Sequence, residues 1–257
     1  MAGNAEGATD RVRGAAARTV AAGSARLAFG VRTGSPVAEE GDWVGEGVVD
    51  FAGRRARVSQ LLMPEGMQED ISQRVRDDEA SPRMWDALLR RREILYDGAN
   101  QLMNADGRWF VHRLNDRDGP RHHTDPLWPL DALFGAGDGV VELEEERVRD
   151  VSTVRYRLTV DLAVADAFVP AGITVPEGSY RRLRRLPAEV WLDGAGLARR
   201  IAIAKNSNAA EERHWTLTEF WDFGTRVTIT PPDPDQILTA ADEADWLQAL
   251  MSGGEHP

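Results

Sequence analysis

Adjacent histidines beside an acid, His122-His123-Thr124-Asp125, with His112 upstream, are by residue type the best metal-binding candidates in this chain. Neutral imidazoles and a carboxylate are the makings of a two-histidine-one-carboxylate site. The spacing argues against it. Neighbouring side chains in an extended segment point to opposite sides, and no histidine pair stands at a helix or strand repeat. The motif reads instead as a surface loop in which Asp125 caps a following helix, and His214, which stands alone, reads as structural. Hydrolytic chemistry has no frame either, because there is no Gly-x-Ser-x-Gly elbow and no serine that spacing joins to a histidine and an acid. The acidic runs Asp77-Asp78 and Glu144-Glu145-Glu146 read as solvated turns or faces. Gly135-Ala136-Gly137-Asp138-Gly139 lacks the Gly-Lys-Ser/Thr ending of a phosphate loop and leads into a strand, so it is a helix stop and turn. Cysteine is absent, which removes disulfides, thiolate catalysis and thiolate metal ligation. No catalytic residue, cofactor or metal ligand is assigned, and the chain is read as a binding protein without enzymatic activity.

Two kinds of residue remain that could recognise something. The arginine clusters Arg90-Arg91-Arg92 and Arg181-Arg182 with Arg184-Arg185 could meet anionic lipid headgroups at a membrane surface or an acidic protein partner where they share a face, and otherwise serve solubility. A formal charge of −11 argues against nonspecific nucleic-acid binding, which draws its affinity from a basic surface, so no nucleic-acid partner is expected. Tryptophan is the other kind. Eight tryptophans stand against three tyrosines, and Trp43, Trp109, Trp128, Trp191, Trp215, Trp221 and Trp246 all fall in predicted elements. An indole buries a large area and needs only one donor satisfied, which suits a core or an apolar pocket.

The elements that must position these residues are mostly strands. Thr9 to Ala22 is alanine-rich and predicts a helix ending near Gly23. Leu27, Phe29 and Val31 then alternate with Arg26, Ala28 and Gly30, as a strand with one buried face requires. Trp43 to Phe51 and Arg55 to Leu62 predict a hairpin around Ala52-Gly53. The polar stretch Pro64 to Arg92 reads as an excursion holding one short helix, with Met84, Trp85, Leu88 and Leu89 on one side. Strands follow at Glu93 to Tyr96, Asn100 to Asn104 and Arg108 to Leu114, punctuated by Asp97-Gly98 and Asp106-Gly107. After a loop from Asn115 to Thr124, Asp125 to Phe134 predicts a helix with Pro126 in its first turn. Val140 to Leu143 and Val154 to Asp161 predict a strand pair connected through the charged segment Glu144 to Asp150, and Ala163 to Val169 a short helix. Beyond a loop from Pro170 to Gly178, three antiparallel strands are expected at Pro187 to Leu192, Leu197 to Ala204 and Arg213 to Phe223, and a last helix at Ala240 to Met251. The fold class is therefore α+β, a large antiparallel sheet with helices on one face, in a single domain spanning residues 1–257.

The C-terminal third adds a resemblance. Val190-Trp191-Leu192-Asp193-Gly194-Ala195-Gly196-Leu197-Ala198-Arg199-Arg200-Ile201 and Asp222-Phe223-Gly224-Thr225-Arg226-Val227-Thr228-Ile229-Thr230-Pro231 resemble the closing hairpin and strand of the LppX/LprAFG lipoproteins, the actinobacterial branch of the LolA-like lipid carriers. The resemblance implies a curved antiparallel half-barrel whose concave face is covered by helices, with a hydrophobic cavity between them for acyl chains. It further implies noncovalent binding of a lipid or other apolar small molecule. Residues on the expected cavity faces are Leu27, Phe29, Val31, Val49, Phe51, Phe110, Trp128, Phe134, Trp191, Leu217 and Trp221. The alternative is a protein-interaction or sensor module of the same fold with its interior filled. Met1 to Val20 carries arginines among alanines and glycines and no apolar signal core, and no lipidated cysteine follows. The sequence as written is thus expected in the cytoplasm, or in the cell envelope if the native start lies upstream. No run reaches the length needed to span a bilayer.

Overall fold

The computed structural model describes residues 2–37, 43–61, 91–98, 100–105, 107–113, 126–166, 185–204 and 213–239. Alanine-rich helix α1 spans Ala2–Ala21, starting earlier than the expected Thr9 despite Gly3 and Gly7 in its first turns. Next come β1 (Ser24–Thr33), β2 (Trp43–Asp50) and β3 (Arg55–Leu61), then β4 (Arg91–Asp97), β5 (Asn100–Ala105) and β6 (Arg108–Arg113). Helix α2 is short, Trp128–Ala132, and tightens into a 3₁₀ turn over Leu133–Gly135. Strands β7 (Val141–Val148) and β8 (Val151–Asp161) precede helix α3 (Leu162–Asp166). The chain closes with β9 (Arg185–Asp193), β10 (Ala198–Ala204), β11 (His214–Trp221) and β12 (Ile237–Thr239).

All twelve strands join one sheet in the order β12-β6-β5-β4-β3-β2-β1-β11-β10-β9-β8-β7. Every pairing is antiparallel except β12 on β6. Hairpins do most of this work. The expected Asp-Gly punctuation places Gly98 and Gly107 at φ +58° and +87°, values that glycine adopts without strain. Pairing of β1 with β11, from Arg26 opposite Trp221 to Thr33 opposite His214, joins the N-terminal and C-terminal halves into one sheet.

Strand alternation gives the sheet two unlike faces. The inner face carries Leu27, Phe29, Val49, Val58, Ile94, Met103, Leu158, Val190, Ile201 and Phe220, and it forms one apolar cluster with Val12, Ala15 and Ala16 of α1 and with Leu130 and Leu133. Helix α1 packs against β7, β9 and β10, α2 against β10 and β11, and α3 against β8. Thr19 Oγ1 accepts the Ala198 N–H at 3.0 Å, and Asp131 holds Arg54 at the β2–β3 turn through both carboxylate oxygens. These bonds anchor the helical layer at β10 and at the β2–β3 turn.

Three expectations are corrected. Asp125 lies outside the described residues, and α2 starts later, with Leu127 at its N-cap and Pro129 rather than Pro126 in its first turn. The segment Glu144 to Asp150 is no connector, because β7 runs through Val148 and turns at Arg149 and Asp150. As an edge strand β7 tolerates such charge, which also discourages pairing with another chain. Asp222 to Gly224 form a turn, and Thr225 to Pro231 belong to no strand. Their alternation arises because Ile229 packs on the outer face against Leu95, Leu102 and Trp109 instead of joining a ladder. Helix α3 covers the first residues of the helix expected at Ala163 to Val169, and the rest of that expectation lies outside the described residues. The helices expected near Leu88 and at Ala240 to Met251, and the His122-His123 loop, lie outside the described residues.

Candidate functional site

The inner face is the candidate binding surface, and the sequence-derived lining residues divide between it and the opposite face. Leu27, Phe29, Val49 and Phe51 are buried in the inner cluster, with Trp128 and Phe134 packed against it. Phe110 is buried opposite Met103, and Val31 lies opposite Thr216, which places both on the same side by register. Trp191 and Leu217 point the other way, into a second cluster with Val148, Ala202, Ala204 and Trp215. Trp221 shares the phase of Leu217 and is covered on the outer side by the Arg149 guanidinium, 3.6 Å from the ring centroid. The reason is alternation. Leu186, Ala188, Val190 and Leu192 fill the inner positions of β9, which leaves Trp191 outside despite its size.

Among the apolar inner residues lies a polar chain on β3, β4 and β5. Gln101 Nε2 donates to Tyr96 Oη at 3.4 Å, and Tyr96 Oη donates to Gln60 Oε1 at 3.2 Å, all three groups being buried. Arg92 lies beside them, directly across from Gln60 and in phase with Ile94 and Tyr96. Its neighbour in the arginine cluster, Arg91, alternates to the other side and donates to the Ser59 carbonyl at 3.1 Å. Arg90 lies outside the described residues, so two members of that cluster occupy opposite faces. Arg185, the described member of the second cluster, is exposed and pairs with Asp161 at 3.4 Å.

The outer face of β7 to β11 holds a network that sequence reading missed. Arg155 donates to Glu189 at 2.6 Å and to Glu146 at 2.7 Å, while Glu146 also accepts the Trp191 indole N–H at 2.8 Å. The Trp191 ring has guanidinium carbons near it at 5.1 Å from Arg155 and 5.2 Å from Arg200. Arg200 in turn pairs with buried Glu219 at 2.6 Å. Alternating Arg and Glu on five adjacent strands was the available signal, but only register brings them together. Beside this network a groove of about 610 Å³ is lined by Gly34, Ser35, Pro36, Arg155, Arg157, Glu189, Arg213 and Trp215. Its position is opposite the apolar cluster, so volume and apolar burial point to different faces. We place the candidate binding surface on the inner side, because Arg155, Arg157 and Glu189 in the groove are already engaged with one another.

The network makes stability depend on pH. Burial alone raises the Glu146 carboxyl, but hydrogen bonds from Trp191 and Arg155 together with the Arg155 charge outweigh it and hold Glu146 below its ordinary value. A carboxyl lowered in the folded state stabilises the fold above its unfolded pKa of about 4.3 and loses that contribution as pH falls through the lower folded value. Glu146→Gln is therefore expected to flatten the fall in urea midpoint between neutral and acid pH, and an unchanged slope would remove Glu146 from the account.

Among the described residues no group of three metal-ligating side chains converges, and no helix is long and apolar enough to cross a membrane. His214 pairs through Nδ1 with Thr33 Oγ1 at 3.0 Å. No family model and no curated protein matches the sequence. Among solved structures, the chain is similar to LprF from Mycobacterium bovis, with 15% identity and a TM-score of 0.50 over 88% of this chain and 97% of LprF. It is also similar to the lipoprotein LppX from Mycobacterium tuberculosis, with 10% identity and a TM-score of 0.48 over 85% and 98% of the two chains. A LolA-superfamily protein from Nitrosomonas europaea follows, with 11% identity and a TM-score of 0.29 over 88% and 94%. The likeness to LprF shows the fold: the open curved antiparallel sheet expected from the C-terminal motifs is the one this chain adopts.

Proposed function

We propose that this protein binds a lipid or other apolar molecule noncovalently between the inner face of its sheet and the covering helices. The observation that carries the reading is the extent of that face. Helices α1 to α3 sit mainly on β7 to β11, and the buried apolar cluster continues beyond them through Val49, Val58, Ile94 and Met103 on β2 to β5. Such binding needs no chemistry at the ligand, in keeping with a sequence that offers no catalytic constellation.

The groove beside Gly34 to Pro36 favours a second reading, a protein-interaction module whose interior is simply filled. Native mass spectrometry of the purified protein, followed by denaturation and solvent extraction, separates the two. A stoichiometric apolar molecule is expected. A protein that is empty and also rejects fluorescent fatty-acid probes would sink the carrier reading and leave the interaction module.

A further inference from the structure

Among the described residues three arginines are at least nine-tenths buried, Arg92, Arg155 and Arg200, and they differ in one respect. Arg155 and Arg200 lie on the outer face against Glu189 and Glu219. Arg92 is on the inner face at 9% exposure, its Nε has no hydrogen-bond partner, and among the described residues no carboxylate pairs with it. A guanidinium cannot escape this by losing its proton, since it stays charged at any pH a protein survives. Burying an ion without a counter-charge is strongly unfavourable. A cation kept in that state is matched when an oxyanion arrives, because the planar fork of an arginine fits two oxygens of a carboxylate or phosphate at once.

From this we propose that Arg92 holds the oxyanionic head of an amphipathic ligand whose tail lies along the inner face. The inference rests on the carrier reading above and adds the ligand's class and orientation. Gln60, directly across the strand pair, uses its Oε1 to accept from Tyr96, which leaves the amide N–H groups as further donors beside the guanidinium. Apolar side chains begin at once on either side. Ile94 is the next inner residue along β4, and Phe29 lies flush with the sheet, its ring occupying the place of a side chain at Gly45, where an added Cβ would come within 2.5 Å of Phe29 Cζ. Val58 and Met103 extend this surface away from the charge. Head and tail positions are thus set on adjacent residues of the same strands.

The test compares a fluorescent long-chain fatty acid with the uncharged alcohol of the same chain, on the wild type and on Arg92→Met. The wild type is expected to prefer the acid by about tenfold, the scale of one charge-assisted pair. Arg92→Met should bind both equally and melt no lower than the wild type, since it removes an unmatched buried charge while keeping an apolar stem. An Arg92→Met protein that keeps the preference overturns the proposal, as does a wild type that binds acid and alcohol alike. A wild type that binds neither overturns the carrier reading itself. Inorganic phosphate provides the remaining arm: thermal stabilisation by phosphate alone, abolished in Arg92→Met and unaccompanied by any acid preference, would assign the site to a free phosphate and overturn the lipid head.

Discussion

Replacing Glu219 with alanine is expected to cost about 3–5 kcal/mol of folding stability, the range for removing one member of a buried ion pair. Glu219 is 3% exposed and receives Arg200 on one oxygen and Arg149 on the other, at 2.7 and 3.1 Å. Without it Arg200 keeps its charge among Trp191 and the apolar outer cluster, with no acceptor in place of the lost one. Arg149 is half exposed and can turn to water, so nearly all the cost falls on Arg200. The control is the double variant Arg200→Met with Glu219→Leu. It should recover most of the loss, because an apolar pair of similar volume is often as stable as the ion pair it replaces. Urea denaturation of the wild type and both variants decides the matter, and a single variant less than about 1 kcal/mol below the wild type would show that water reaches Arg200.

Trp191→Ala should be comparably severe, at about 3–5 kcal/mol, the usual cost of deleting a large buried aromatic side chain. Trp191 is fully buried, so the variant creates a cavity lined by Ala202, Ala204 and Leu217 and also strips a hydrogen bond from Glu146. Trp191→Phe separates the two contributions. It keeps most of the packing and loses the indole N–H, so about 1–3 kcal/mol is expected for the acceptor left short. Thermal or chemical unfolding at neutral pH measures both, and a phenylalanine variant as unstable as the alanine variant would shift the weight from packing to the hydrogen bond. Neither substitution touches the inner face, so ligand binding by the folded fraction should persist. That expectation divides the molecule into an outer side that stabilises and an inner side that binds.

Much of this architecture was legible in the chain. Leu27 and Phe29, Val49, and Leu186 to Leu192 carry a two-residue apolar period, and a strand with one dry face follows from it. Gly98 and Gly107 serve two hairpins because glycine takes positive φ at little cost. Less legible was which face a bulky residue occupies when both sides of a strand are apolar. Trp191, Leu217 and Trp221 were read as facing the helices, and their phase on β9 and β11 turns them outward. The segment from Asp222 to Pro231 misled in another way, since a period of two is produced equally by packing on a sheet and by pairing within it.

The sequence by itself determined the class of the fold, the absence of a thiol or a recognisable nucleophile, and the order in which strands and turns occur, because periodicity, turn chemistry and composition are local properties. Tertiary structure alone decided which charges meet. Arg91 and Arg92 are adjacent in a basic cluster, yet one turns outward to the Ser59 carbonyl and the other inward, where its Nε has no partner and no carboxylate among the described residues meets it. Arg155, Glu189, Arg200 and Glu219 are scattered over 65 positions of sequence and form two buried pairs on neighbouring strands. Pairing partners are fixed by register across a sheet, and the free energy of a charge depends on what surrounds it more than on what precedes it in the chain.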